Sequence, residues 1–249
     1  MFSAPAQRVS VWLDELAPGG GAFAHAVEWA CQFGWPLRLL AVPGSGQTGD
    51  RRQDDRLHAC EAACQQRGVD GEVAGSQPGA GDGLGRDDLY VLGDARLPAP
   101  RAELLRQALC LPGAGVLLCP RDWQPVSRVL VLVQGRDPAS AFLHDAADIC
   151  RLLGAEPVVL TLAGSESEAR RREQFAEDRF ARHLLTAEFD SVVGGELRET
   201  VPWVARLRRC SLVLVEREAP SWWRWLRGET VERLTDLAKK TSVLALPGT

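Results

Sequence analysis

Two stretches of the chain decide its fold: Arg8-Val-Ser-Val-Trp-Leu-Asp14 and, 120 positions later, Arg128-Val-Leu-Val-Leu-Val-Gln134. Each is a nearly continuous apolar run between an arginine and a polar residue. Val9 and Val129 open the runs, and valine-rich runs of this length are typical of strands buried on both faces of a sheet. A polar or Gly/Pro turn follows each run. The spacing therefore predicts two copies of one structural unit.

The elements that follow these strands have the same order in both halves. In the first half we predict helices at Phe23–Phe33, Asp54–Arg67 and Ala102–Leu111, and strands at Leu37–Val42, Glu72–Ala74, Asp88–Gly93 and Val116–Cys119. In the second half we predict helices at Ala139–Leu153, Glu166–His183, Glu196–Arg209 and Thr230–Lys240, and strands at Val158–Leu162, Glu188–Val193, Ser211–Val215 and Val243–Leu246. Gly34 and Gly154 are predicted to end the first helix of each half as left-handed caps.

Strands that alternate with helices imply parallel pairing, because a parallel neighbour is reached through a crossover. The predicted fold class is α/β, with two tandem, open, doubly wound parallel sheets related by pseudo-two-fold symmetry. Pro120 and Pro125 mark the junction, so we place the domains at residues 1–122 and 126–249. The glycine-rich stretch Gly75–Gly85 replaces a helix of the second half and is predicted to be a mobile loop.

Composition narrows the class of protein. The 249 residues are 45% hydrophobic, which suits a globular chain, and the net charge of -4 offers no general attraction for nucleic acid or anionic lipid. We therefore expect neither a nucleic-acid nor a membrane partner. Seven cysteines without a CxxC pair fit a reducing compartment, and no apolar run approaches the length of a membrane span. We expect a cytoplasmic protein.

With this order of elements, the chain resembles a tandem universal stress protein over nearly its whole length. The resemblance implies an adenine nucleotide alpha hydrolase-like fold. It also implies a phosphate loop, Gly-x2-Gly-x9-Gly-Ser/Thr, after the fourth strand of each half. The first half keeps one of these glycines, Gly93, and Pro98 and Pro100 remove two N–H donors there. The second half keeps Gly228, but Glu229 stands at the hydroxyl position and competes with phosphate for the helix start.

The resemblance also points to the residues that would hold a nucleotide in the first half. An acidic residue at the end of the first strand corresponds to Asp14, and Val42 lines the same crevice beyond the strand ends. Gly93 and Arg96 complete the candidate nucleotide-binding set, with Arg96 as the basic residue placed to meet phosphate. The preferred interpretation of Asp14 is that of a turn former before the glycines that follow it, with the ligand contact as the alternative. We expect no cofactor, with ATP as the alternative.

Three indoles, Trp222, Trp223 and Trp225, lie in a predicted surface connection. Exposed tryptophans usually mark interfaces, so we expect this cluster to form a partner or dimer contact, or to fill the nucleotide crevice. Packing under the loop is the structural alternative. We favour both over base stacking on nucleic acid, which needs a wider basic groove.

Other conspicuous residues favour structural roles. Cys60 and Cys64, one turn after His58, share a helix face; metal binding is conceivable, and burial in the core is the preferred interpretation. The segment Glu166–Glu177, with Arg170, Arg171 and Arg172, alternates charge along a helix and is interpreted as a solvated face. The four histidines are dispersed, and no catalytic motif is present in the sequence.

These observations favour a regulatory or stress-response protein without catalytic activity, whose nucleotide motif is degenerate and which acts through protein partners. The alternatives are an ATP-binding stress protein that uses the first-half crevice, and an enzyme on the related scaffold. Within the chain, an internal pseudo-dimer would pair Val116–Cys119 with Val243–Leu246 and cover an exposed sheet edge. A homodimer of the whole chain is a further expectation.

Overall fold

A computed structural model gives the fold of the chain. It describes residues 8–13, 21–41, 51–74, 88–93, 105, 107–111, 113–120, 124–134, 140–217, 238 and 241–247. The chain divides into two compact units, of which the first contains nearly all of the chain through Trp123 and the second nearly all of it from Gln124 onward. The domain bounds 1–122 and 126–249 stay a prediction.

The first unit is built on five parallel strands in the order β3-β2-β1-β4-β5. Its elements are β1 (Arg8–Leu13), α1 (Gly21–Phe33), β2 (Leu37–Ala41), α2 (Arg51–Gln66), β3 (Gly71–Ala74), β4 (Asp88–Gly93) and β5 (Gly115–Cys119). Residues 107–110 are also helical, within the helix predicted before β5. The helix α1 lies close against β1 and β4, and α2 packs on β2 and β3.

The second unit has the corresponding strand order, β10-β9-β6-β7-β8, again with parallel pairing. Its elements are β6 (Arg128–Val133), α3 (Ser140–Leu153), β7 (Glu156–Ala163), α4 (Glu166–Arg182), β8 (Glu188–Val193), α5 (Leu197–Leu207), β9 (Leu212–Arg217) and β10 (Ser242–Pro247). The predicted α/β class with two tandem open parallel sheets is confirmed.

Strand register relates the two units residue by residue. In β1, Val9 pairs with Leu37 and Leu89, and in β6 Val129 pairs with Leu212. Because Val9 and Val129 begin the repeated stretches, Leu89 in β4 corresponds to Leu212 in β9. Counting forward along both strands, Gly93 in the first unit corresponds to Glu216 in the second.

The residues from which the helices and strands were predicted have the expected conformation and burial in the structure. Gly34 and Gly154 have φ of 66° and 60°, the left-handed conformation that ends a helix. The central strands are buried on both faces, as their continuous apolar runs require. At α4, the side chain of Ser165 accepts a hydrogen bond from the backbone N–H of Glu168, which is an N-terminal cap.

Two details differ from the sequence prediction. The strand predicted at Ser211–Val215 continues through Glu216 to Arg217, and both of these charged residues are buried. The interpretation of Arg172 as part of a solvated face is wrong, because its side chain is buried against β7.

The predicted loop at Gly75–Gly85 lies outside the described residues. Among the helices that the structure describes, none has the length and apolar character to cross a bilayer.

Candidate functional site

The candidate site is the edge of each sheet at the carboxyl ends of its central strands, where open parallel sheets bind ligands. Of the four predicted nucleotide contacts, Gly93 is described, as the last residue of β4. Asp14, Val42 and Arg96 lie outside the described residues, as do Trp222, Trp223 and Trp225. The predicted roles of these six residues stay predictions.

In the first unit, Gly93 lies against the start of α1. A Cβ atom added to Gly93 would lie 2.6 Å from Ala22 Cβ and 3.3 Å from the Ala22 backbone nitrogen. Carbon atoms in contact normally keep about 3.5–4.0 Å apart. The glycine thus has a packing role, since it lets the first turn of α1 approach the end of β4. Its presence does not require a phosphate ligand.

His25 lies one turn further along α1, and no role was predicted for it from the sequence. Its Nδ1 is 2.7 Å from the Gly21 carbonyl oxygen. A carbonyl can only accept, so Nδ1 carries the hydrogen of that bond. Burial lowers the pKa of His25, against the opposing effect of this hydrogen bond, and therefore favours the neutral ring. The ring fixes the first turn of the helix beside Gly93.

In the second unit, the position of Gly93 is taken by Glu216. Its side chain is 4% exposed, on a strand whose other residues are also buried. Where the first unit has a glycine at the beginning of the predicted phosphate loop, the second unit thus has a buried carboxyl group. The position of Glu216 directly after the apolar run of β9 is the feature of the sequence from which its burial could have been suspected. A charged residue after such a run is ordinarily interpreted as the end of the strand.

The end of β7 provides a second difference. By register, Leu162 in the second unit corresponds to Val42 in the first, because Leu40 pairs with Trp12 and Leu160 with Leu132. The guanidinium of Arg172 donates to the Leu162 carbonyl oxygen and to the Glu168 carboxylate. The backbone oxygen at this position is therefore already bound by a side chain of the same unit.

Glu168 holds this arrangement in place. Its carboxylate accepts a hydrogen bond of 2.8 Å from the Gly164 backbone N–H. That bond and then the neighbouring Arg172 guanidinium lower the pKa of Glu168, which keeps it ionised. The turn after β7 is thus tied to the first two turns of α4.

Gln134, at the end of β6, stands in the second unit where the first has Asp14, and it is half-buried.

No metal centre is formed by the residues that the structure describes. Cys60 and Cys64 are buried, as the preferred interpretation of that helix predicted. Burial and the nearby Cys60, Cys31 and Glu61 raise the pKa of Cys64 to about 11. A thiol of this kind is a small apolar core residue and a poor ligand or nucleophile.

Comparison with known proteins bears on the fold. No protein-family model matches the sequence, and no curated protein does. Among solved structures, a Pseudomonas aeruginosa UCBPP-PA14 protein assigned to the universal stress proteins is 17% identical, with a TM-score of 0.64 over 98% of this chain and 94% of that one. A universal stress protein from Archaeoglobus fulgidus DSM 4304 is 14% identical, with a TM-score of 0.63 over 98% and 97%.

The same fold also occurs as part of a larger protein. The cytoplasmic domain of a prokaryotic cation chloride cotransporter is 13% identical, with a TM-score of 0.63 over 97% of this chain and 95% of that domain. These matches span both units, in agreement with the resemblance stated from the sequence. The chain has the fold of the universal stress proteins, formed by two such units in succession.

Proposed function

We propose that the chain is a regulatory protein of the universal stress type, without catalytic activity, whose nucleotide site is degenerate in both halves and which acts by binding protein partners. The observation that carries the proposal is the buried carboxyl group of Glu216 at the place of the phosphate-loop glycine. When ionised, it puts a negative charge at a position where the motif has an uncharged glycine, which disfavours a phosphate nearby. When protonated, it remains a larger side chain than the glycine of the motif.

The end of β7 supports the same conclusion for the second half. A ligand that hydrogen-bonds to the backbone beyond β7 would have to displace Arg172 from the Leu162 carbonyl oxygen. Arg172 is 4% exposed, so its displacement would leave a buried guanidinium without its hydrogen-bond partners. Leaving a buried charge without partners is strongly unfavourable. Two of the positions that correspond to predicted ligand contacts, Leu162 and Glu216, are thus taken by the chain itself.

In the first half, Gly93 is explained by its packing on Ala22, so the retained glycine is weak support for a nucleotide. It nevertheless favours the first half as the place for the alternative function, an ATP-binding stress protein that uses Asp14, Val42, Gly93 and Arg96. The pairing of Val116–Cys119 with Val243–Leu246 and the partner role of the Trp222–Trp225 cluster remain parts of the proposal.

Calorimetric titration of the full chain with Mg-ATP tests the proposal. We expect no saturable heat up to about 1 mM ATP, since this corresponds to a binding free energy weaker than about -4 kcal/mol. Asp14→Ala and Arg96→Ala serve as matched variants. Saturable binding that either substitution weakens would replace the proposal with the alternative. Release of ADP from the same samples, at a rate that these variants reduce, would support the enzyme.

A further inference from the structure

The outer face of α5 carries the largest exposed aromatic side chain among the described residues. Trp203 and Leu207 are each 58% exposed, and they are four residues apart on one side of the helix. The opposite side is used for the core, since Val201, Val204 and Ala205 are buried. The helix therefore presents apolar groups both to its own sheet and to solvent.

The outer face of α5 carries a negative charge near the start of the helix and a positive charge near its end. Glu199 and Arg206 are both exposed, seven residues apart, with Trp203 between them. Seven residues are two turns, so the carboxylate and the guanidinium lie on the same face about 10 Å apart along the axis. Neither side chain has an ion-pair partner within the described part of the chain.

An acidic residue at the start of a helix and a basic residue at its end both interact favourably with the helix dipole. This interaction accounts for part of the placement of Glu199 and Arg206. The dipole gives no reason for an exposed tryptophan and leucine between them. A docked partner does, because it would remove both side chains from water. The order of the charges then indicates which partner fits.

We propose that this face, Glu199-Trp203-Arg206-Leu207, is a self-complementary surface that binds the same face of a second copy of the chain. In an antiparallel pair of α5 helices centred between Pro202 and Trp203, Glu199 of each copy lies opposite Arg206 of the other. The two-fold axis repeats this contact, so the interface contains two opposite-charge pairs around two indoles. Parallel packing would instead place Glu199 beside Glu199 and Arg206 beside Arg206. The antiparallel arrangement also pairs the helix dipoles favourably.

The small area of this surface implies that the two copies bind each other weakly. One helix face with two large apolar side chains buries well below the roughly 800 Å² per partner of a standard interface. We therefore expect a dimer with a dissociation constant in the range of about 1–100 μM. The inference does not depend on the proposed function, because α5 is separate from the strand ends and is tested by a different measurement.

Sedimentation velocity of the full chain over a concentration series tests the surface. Glu199→Arg and Arg206→Glu each place two like-charge pairs in the interface, and each should raise the dissociation constant at least about tenfold. The double variant Glu199→Arg/Arg206→Glu exchanges the charges and should return to within about threefold of the original value. Trp203→Ala should weaken the dimer without rescue by either charge variant.

Two exposed positions on α4 provide matched controls. Glu177→Arg and Arg170→Glu make the same charge changes away from α5 and should leave the dissociation constant unchanged. A chain that stays monomeric at about 500 μM would overturn the proposal. So would a dimer whose strength is indifferent to Trp203→Ala, or one in which the charge exchange fails to restore what the single reversals remove.

Discussion

Replacement of Gly93 by alanine should destabilise the first unit because the end of β4 and the start of α1 are in close contact. The new methyl group would lie 2.6 Å from Ala22 Cβ, about 1 Å inside normal contact. Its other near neighbours are backbone atoms of Ala22, at 3.3 Å and 3.5 Å, so the whole first turn of α1 must move. Overpacking of this kind costs typically about 1–3 kcal/mol. Since a backbone segment has to move, we expect about 2–3 kcal/mol.

Urea unfolding with hydrogen exchange read out on peptides from β4 and α1 would measure this loss in the first unit specifically. Gly164→Ala is the matched control, because a Cβ there would meet Glu168 Oε2 at an ordinary 3.4 Å. We expect the control to change the free energy of unfolding by less than about 0.5 kcal/mol. Combining Gly93→Ala with Ala22→Gly should recover more than about 1 kcal/mol relative to the sum of the single changes.

A loss from Gly93→Ala no larger than the control's, or a double variant that is simply additive, would refute the packing role of this glycine. Gly93 would then need another explanation, and a ligand that approaches the backbone would be the first to consider.

Two further predictions concern titratable side chains. Burial lowers the pKa of His25 below its ordinary 6.5, so the folded state disfavours the protonated ring. The stabilising contribution is complete above about pH 6.5 and declines as the pH falls, by at most about 1.4 kcal/mol per pH unit. Unfolding free energies measured from pH 7.5 to 5.5 should therefore converge with those of His25→Asn, and parallel curves would contradict this. In thiol labelling of the native chain at about pH 8, Cys31 and Cys110 should react quickly because they are exposed, whereas the buried cysteines should react only after unfolding. Burial raises the pKa of Cys150 to about 12 and is the largest cause that raises the pKa of Cys210 to about 11, so rapid labelling of either would argue against the described core.

The repeated fold could be predicted from the sequence because its signals are local and strong. The valine runs that begin at Arg8 and Arg128 have the composition of central parallel strands, and Gly34 and Gly154 end their helices at equivalent positions. Alternation of strands with helices then leaves few topologies, since crossovers are right-handed. All of this follows from neighbours in the sequence.

The candidate site was harder to predict from the sequence than the fold, because its decisive contacts join residues that are distant in the sequence. Glu216 looks like a polar residue after a strand, and its burial depends on the continuation of β9 beside β10, where it pairs with Leu246. Arg172 fits the charge pattern of an exposed helix face, and its burial depends on the Leu162 carbonyl oxygen of β7. The contact of Gly93 with Ala22 is likewise a matter of helix approach, which a single sequence does not encode in any short motif.

If neither half keeps a working nucleotide site, the chain should be purified without bound nucleotide. Denaturing the freshly purified chain and measuring released nucleotide by ion-exchange chromatography tests this. We expect nucleotide far below one mole per mole of chain, together with no uptake after incubation with Mg-ATP and rapid desalting. Release of about one or two moles per mole would mean that one or both crevices hold nucleotide, and would contradict the proposed loss of both sites.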